Sequence, residues 1–183
     1  EITTRLVGSE MCIRDRFYLD EEYSGESIIS KLSRIRKYMD NKNADIHIMA
    51  TLDDICWTFN IRGCDVECNP VIMAYSVITK DEAYIYTDKD RFDDKTLAKF
   101  GEACVEVLPY DSIYEDIARM NGKVLIDKRR VNMRIYQLIQ SGKDVEAVLS
   151  DNPAMLFKAI KNETEIRNLY SIHVDDGLSL IHI

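Results

Sequence analysis

The apolar residues of this 183-residue chain follow a helical spacing in some segments and a strand-like spacing in others. Apolar residues recur every three or four positions after Ser24, which predicts an amphipathic helix that Ser24 opens and that ends near residues 41–43. These apolar positions are Ile28, Leu32, Ile35 and Met39. The opposite face carries four cations that we expect to be exposed to solvent, namely Lys31, Arg34, Arg36 and Lys37.

Short runs of β-branched and aromatic residues alternate with further helical segments up to residue 150. The predicted strands cover residues 45–50, 71–79, 83–87, 104–108, 123–127 and 145–149. The predicted helices cover residues 52–59, 92–101, 111–120 and 131–140. Three polar residues at 80–82 separate the second strand from the third, which predicts a hairpin. This order predicts an α/β fold, in which helices flank a mixed, mostly parallel β-sheet.

The sequence changes character near both ends. We predict a change of structural unit at residues 151–153, followed by a charged amphipathic helix over residues 163–176. The strings GSEMCIRDR (residues 8–16) and LSLIHI (residues 178–183) resemble translated sequencing-adaptor read-through; the alternative is a native tail at each end. We therefore predict that residues 1–16 and 178–183 are non-native and pack against nothing, so that their removal leaves the stability unchanged.

Composition narrows the class of protein. A chain of this length fits one domain with a piece of a second, and its 46% hydrophobic residues can form a substantial core. The net charge of −8 argues against nucleic acid as a partner, because phosphate binding needs a basic surface. No apolar run approaches the length of a membrane-spanning helix. The five cysteines are interpreted as reduced thiols in a cytoplasmic protein.

Few residues form a recognisable catalytic pattern. The spacing of Cys56, Cys64 and Cys68 matches no common zinc site, and His47 lies in a predicted buried strand, where we expect a hydrogen-bonded core histidine. The chain has no glycine-rich phosphate-binding loop and no G-x-S-x-G nucleophile motif. We therefore expect no catalytic residue and no metal ligand within this chain.

Arg62 is the strongest candidate for a ligand contact. It lies in a short connection between a predicted helix and a predicted strand, beside Asn60, Asp65 and Asn69, where it could bind an anion or a carbonyl group. The alternative is that Arg62 fixes its own loop by binding backbone carbonyl groups and Asp65.

Three segments resemble Xaa-Pro aminopeptidases, which are relatives of creatinase and prolidase. The first is FYLDEEYSGESIISKLSRIR at residues 17–36, and the second begins with LDDICWTFNIRG at residue 52 and extends through Asn69-Pro70 to residue 79. The third is NPAMLFKAIKNETEIRNLYSIHVDDG at residues 152–177. The resemblance implies a creatinase N-terminal-like fold with a ribonuclease H-like motif. It also implies a non-catalytic domain over residues 17–157 and the first helix of a catalytic domain over residues 158–177.

The resemblance also implies a function for the longer protein. Such enzymes release the N-terminal residue that precedes a proline, and they use two divalent metal ions, usually manganese. Their ligands (two Asp, one His and two Glu) lie in the catalytic domain, so none is carried over to this chain and the fragment is expected to be inactive. The implied partners are the missing catalytic domain, a proline-containing peptide and a second copy in a homo-oligomer.

In this family the non-catalytic domain helps to close the substrate cleft. By resemblance, Arg62, Asp65 and Asn69 are expected to lie at the rim of that cleft. The alternative is a partner-binding module that keeps the pita-bread shape of the catalytic domain without its metals. An intact set of metal ligands downstream of this chain would distinguish the enzyme from the module.

Overall fold

The computed structural model describes residues 15–181. Its centre is a six-stranded sheet in the order β6-β5-β4-β2-β7-β8. The strands are β2 Ile46–Met49, β4 Tyr75–Thr79, β5 Ala83–Tyr86, β6 Val105–Leu108, β7 Gly122–Ile126 and β8 Val145–Leu149. The pairs β5–β6, β2–β7 and β7–β8 are parallel, whereas β4 is antiparallel to both of its neighbours. The predicted α/β fold with a mixed, mostly parallel sheet is confirmed, as is the hairpin at residues 80–82.

Helices cover both faces of the sheet. They are α1 Glu21–Ser24, α2 Ile28–Asn41, α3 Leu52–Thr58, α4 Asp94–Glu102, α5 Ile113–Arg119, α6 Met133–Ser141, α7 Pro153–Ala159 and α8 Glu163–Ile181. One core contains residues of α2, α3, α4 and α7, while α5 and α6 contribute to a second core on the other face. Successive side chains of a strand point to opposite faces of the sheet, so Met49 packs in the first core and Ile48 in the second. Within residues 15–181, no helix combines the length and apolar character needed to cross a membrane.

A second, two-stranded sheet was not predicted. It pairs β1 (Phe17–Tyr18) with β3 (Ile61–Arg62) in antiparallel register, and it places the start of the described chain beside the end of α3. Strands of two residues carry no usable periodicity in a sequence. This small sheet pairs the backbone of Arg62 with Phe17 and that of Ile61 with Tyr18.

The start of the first long helix differs from the prediction. Ser24 ends the short helix α1, and Gly25 follows in a left-handed conformation with φ of 68°. The N-cap of α2 is Ser27, whose hydroxyl accepts a hydrogen bond from the backbone N–H of Ser30. The glycine is required because a Cβ at position 25 would overlap the side chain of Asn162.

The prediction that Lys31 is exposed is wrong. Only 1% of its surface is accessible, and it lies three residues after Ile28 and four before Ile35, which places it on the buried face of α2. The aliphatic stem of lysine can pack in an apolar environment, provided that its ammonium group finds hydrogen-bond acceptors.

The strand predicted at residues 71–79 is shorter in the structure, because residues 71–74 form a loop.

The expectation that residues 1–16 pack against nothing is wrong for Arg16, although residues 1–14 and 182–183 lie outside the described part. Arg16 is 3% exposed; Nη1 donates to Thr87 Oγ1 at 2.6 Å and Nη2 donates to Asp65 Oδ2 at 2.8 Å. Asp15 pairs with Arg91. The non-native origin of the two ends stays a prediction, but trimming at residue 16 would remove a buried ion pair.

The predicted change of unit at residues 151–153 does not interrupt the packing. Asn152 is 4% exposed and caps α7 by accepting a hydrogen bond from Ala154 N, while Ala154 is fully buried in the first core. The amide of Asn152 also donates to Asp54 Oδ2 at 2.8 Å, and its Oδ1 lies 3.1 Å from His47 Nε2. His47 is a fully buried core histidine, as predicted, and burial is the main cause that lowers its pKa. The domain boundary at residues 157–158 stays a prediction.

Helix α8 is attached to α1 by polar contacts. Asn162 Nδ2 donates to the carbonyl of Ser24 at 2.8 Å, and Asn168 Nδ2 donates to that of Tyr23 at 3.2 Å. The apolar residues of this region remain exposed, including Ile160 at 65% and Leu169 at 42%. The start of α8 is therefore held in place, while much of its apolar surface stays uncovered.

Replacing Asn152 tests the packing of α7. We expect Asn152→Ala to lower the free energy of unfolding by about 2–3 kcal/mol, because it removes a helix cap and the buried hydrogen bonds that Asn152 makes with His47 Nε2 and Asp54 Oδ2. The measurement is urea denaturation, with Asn121→Ala, at an exposed asparagine, as the matched control. A loss below about 0.5 kcal/mol, the range of neutral surface changes, would contradict the structural role of Asn152.

Candidate functional site

The candidate site is built around the turn that joins α3 to β3. Asn60 occupies this turn with a left-handed φ of 51°, a conformation that asparagine tolerates better than most residues. Its side chain is 1% exposed and makes two strong contacts: Nδ2 donates to the carbonyl of Glu26 at 2.8 Å, and Oδ1 accepts from Lys31 Nζ at 2.5 Å. The turn is therefore held by groups from outside it, the ammonium of Lys31 and the backbone carbonyl of Glu26.

Lys31 provides the second support of this turn. Its Nζ donates to the carbonyl of Trp57 at 2.8 Å and lies 4.4 Å from the centre of the Trp57 ring, a cation–π distance. Burial lowers the pKa of Lys31 to about 8, although the carboxylates of Glu26 and Glu165 oppose the shift. A lysine with few charge partners in the interior thus holds the end of α3.

Arg62 is half-buried and is anchored through one nitrogen. Nη1 donates to the carbonyl of Cys56 at 3.2 Å and to that of Ile61 at 2.8 Å. These bonds agree with the part of the sequence interpretation in which Arg62 fixes its own loop through backbone carbonyl groups. The guanidinium group is planar and carries five N–H donors, so bonds at Nη1 do not use its whole capacity.

Asp65 has different partners from those expected. Its carboxylate is 3% exposed, accepts a hydrogen bond from Met73 N at 2.6 Å, and forms ion pairs with Arg16 at 2.8 Å and Arg91 at 2.6 Å. A cleft of about 410 Å³ is lined by Asp65, by both arginines and by Tyr110. The ion pairs of Asp65 are formed with these two arginines.

Arg62 and Asn69 line a common cleft of about 300 Å³ between α3 and the segment that joins α7 to α8. Its other polar lining residues are Asp53, Lys158, Lys161 and Glu165. Lys158 pairs with both Asp53 and Asp54; these carboxylates raise the pKa of Lys158 against the opposing effect of burial. The structure thus brings two of the three predicted rim residues together and places Asp65 on a different cleft.

A second cleft of about 340 Å³ lies against α1 and α8. Trp57 and Arg62 line both of these clefts, and Lys31 and Asn60 line the second. Sequence reasoning missed Lys31 and Lys158 because single lysines on amphipathic helices are normally solvated, and it missed Lys161 because a lysine in a connection between helices is normally solvated too. The one available signal was the position of Lys31 between Ile28 and Ile35 on the buried stripe.

In the part of the chain that the structure describes, no three His, Cys, Asp or Glu side chains are grouped closely enough to hold a metal ion. Among the cysteines of this part, Cys56 is buried and burial raises the pKa of its thiol, whereas Cys64 and Cys68 are exposed. These three and Cys104, which is also exposed, are free thiols.

A sheet with this strand order, flanked by helices and carrying a buried helix–turn–strand unit, defines an α/β domain. The sequence model of the creatinase/prolidase N-terminal domain matches residues 13–165. The chain therefore belongs to the creatinase/prolidase N-terminal domain family.

Individual relatives agree with this family. The chain is 32% identical to Xaa-Pro aminopeptidase 1 of Dictyostelium discoideum over 168 residues, which is 90% of this chain and 26% of that protein. The crystal structure of the X-prolyl aminopeptidase from Caenorhabditis elegans, a cytosolic enzyme with a di-nuclear active site, superimposes with a TM-score of 0.83 at 25% identity. The match covers 92% of this chain and 28% of that enzyme.

A more distant structure shares the fold. The Xaa-Pro dipeptidase of Bacillus anthracis has a TM-score of 0.58 at 16% identity, covering 77% of this chain and 38% of that protein. The chain thus spans about a quarter of the length of the aminopeptidases that it matches.

Removing the carboxylate of Asp65 tests the buried ion-pair cluster. We expect Asp65→Ala to lower the free energy of unfolding by about 3 kcal/mol, because it leaves the buried Arg16 without its charge partner. Thermal and urea unfolding would measure the change, with the exposed Asp144→Ala as the control. Equal stability of the two variants would show that the cluster contributes little.

Proposed function

We propose that this chain is the non-catalytic domain of a metal-dependent Xaa-Pro aminopeptidase and helps to shape that enzyme's substrate cleft. The observation that supports this most strongly is the 32% identity to an Xaa-Pro aminopeptidase across nine-tenths of the chain. The TM-score of 0.83 against a second such enzyme adds structural support. The same enzyme is described as cytosolic, which agrees with the cytoplasmic location that we propose.

The chemistry belongs to a part of the enzyme other than this domain. The described residues include no group suited to hold a metal ion, so they do not fit the di-nuclear centre of the C. elegans enzyme. We propose that the complete enzyme binds two divalent metal ions, with manganese as the expected metal, through ligands supplied by its catalytic domain. Such a metal pair would activate water and polarise the scissile carbonyl.

The proposed contribution of this domain is to substrate binding. Arg62 is held by backbone carbonyls through Nη1, and it lines a cleft next to Asn69. A guanidinium group that is anchored on one side can donate its remaining N–H groups to a peptide carbonyl with little loss of side-chain entropy. Asp65 would act indirectly in this arrangement, because its carboxylate binds Arg16 and Arg91.

The first prediction concerns the isolated chain. Purified protein of this sequence, incubated with manganese and an Xaa-Pro peptide, should show no turnover above a manganese-only control, because residues 15–181 offer no metal site that would activate the nucleophile. The complete protein should cleave the same peptide under the same conditions. Turnover by the isolated chain would overturn the proposal, and an inactive complete protein would favour the partner-binding module.

The second prediction concerns Arg62 in the complete protein. Arg62→Ala should raise the KM for an Xaa-Pro peptide about tenfold, because a hydrogen bond to a charged donor contributes about 1.5–3 kcal/mol. Metal content and kcat should change little, since the residue acts on binding. The exposed Arg119→Ala serves as the control. A lower thermal stability with an unchanged KM would show instead that Arg62 only fixes its loop.

A further inference from the structure

Lys31 has an unusual position for a lysine. It is 1% exposed within the helix stripe that also buries Leu32 and Ile35, yet it is one of the residues that line the second cleft. Removing a charged ammonium group from water costs several kcal/mol unless good partners replace the solvent. The partners here are two oxygens at 2.8 Å and 2.5 Å and one aromatic face. The Trp57 carbonyl and ring belong to the end of α3, and the Asn60 oxygen belongs to the turn that precedes Arg62.

The contacts of Lys31 fix the turn from one side. The carbonyl of Trp57 belongs to the last turn of α3, and the side chain of Asn60 belongs to the residue in the left-handed conformation. Asn60 is held from a second direction by the carbonyl of Glu26. Arg62, two residues further on, binds the carbonyl of Cys56 on the same end of α3. A change in the turn would therefore displace Arg62.

From this geometry we infer that Lys31 is a positioning residue for substrate binding, which holds the turn of Trp57 and Asn60 so that Arg62 faces the cleft. The inference rests on the proposed function, because it assigns Lys31 a role through Arg62. Lys31 itself is not expected to touch the substrate, since its ammonium group is already bonded to the protein.

If Lys31 acts through its charge, the KM should depend on pH, whereas a residue that acts only by packing would give no such dependence. The charged groups that act on its ammonium are Glu26 before α2, Arg34 on α2, Arg62 on β3 and Glu165 on α8. Because its pKa is about 8, Lys31 loses its proton as the pH rises through that value, and its bonds to Trp57 and Asn60 lose their charge-assisted strength. The KM for peptide should therefore rise above about pH 8 in the complete enzyme.

A double-mutant cycle in the complete protein tests whether Lys31 acts through Arg62. We expect Lys31→Met to raise the KM about fivefold, Arg62→Ala about tenfold, and the double variant no more than Arg62→Ala alone, because both act through one contact. Lys37→Met, at an exposed position on the same helix, is the matched control and should leave KM unchanged. Values of kcat should stay within about twofold in all variants.

The pH dependence of the KM is a second test of the same role. The α-amino group of the peptide also titrates near pH 8, so the rise in KM is assigned by comparing wild type with Lys31→Met. A limb that comes from Lys31 disappears in the variant, whereas a limb that comes from the substrate remains. The disappearance is the result that we expect; a limb that persists unchanged would overturn the inference.

A second variant keeps the test decisive if Lys31→Met does not fold. Asn60→Gly removes an acceptor of Lys31 but suits the left-handed backbone, since glycine adopts φ of 51° without strain. It should raise the KM and should not add to Arg62→Ala. Additive effects in either cycle, or an unchanged KM in Lys31→Met or Asn60→Gly, would overturn the inference. An unchanged KM in Arg62→Ala would instead overturn the proposed role of Arg62.

Discussion

The carbonyl groups at the end of a buried helix must find hydrogen-bond donors within the protein, and this constraint organises the region around α3. The last carbonyls of a helix have no intrahelical partner. Here the carbonyl of Cys56 accepts from Arg62, and the carbonyl of Trp57 accepts from Lys31. Two cations therefore meet the negative end of the helix dipole, which is the favourable sign.

The other end of α3 shows the opposite charges. Asp53 and Asp54 lie in its first turn, where carboxylates are favoured, and both bind Lys158 from α7. Asp54 also accepts a hydrogen bond from Asn152, which lies against His47 of the central sheet. One helix of seven residues thus connects the sheet, α2 and the exit of the chain through buried polar contacts. The clefts lined by Arg62 lie beside this helix, so their shape depends on those contacts.

The sequence carried enough information to predict the sheet and its helices, because apolar periodicity reports directly on burial. It also predicted that His47 is a core residue, and the structure confirms this. The partners of Lys31 and Asp65 could not be predicted in the same way. Each depends on a residue 26 to 49 positions away, Trp57 for Lys31 and Arg16 for Asp65, and no local pattern encodes such a contact. The strands β1 and β3 were missed because two residues are too few to show a periodicity.

The candidate site was predicted only in part. Arg62 was singled out because an arginine between a helix and a strand is conspicuous, and its bonds to backbone carbonyls were one of the two interpretations considered. Its place at the rim of a substrate cleft stays a prediction. Asn69 lies on the same cleft, whereas Asp65 belongs to an ion-pair cluster elsewhere. Spacing along a loop does not specify the direction of its side chains, so three neighbouring polar residues were grouped although the fold separates them.

The central claim is that the end of α3 presents Arg62 to a peptide. A crystal structure of the complete protein with a proline-containing peptide inhibitor bound tests this most directly. The account predicts an N–H group of Arg62 within about 3 Å of a peptide oxygen, with Lys31 still bonded to Trp57 and Asn60. A peptide bound with Arg62 more than about 6 Å from it, too far for a direct hydrogen bond, would contradict the account.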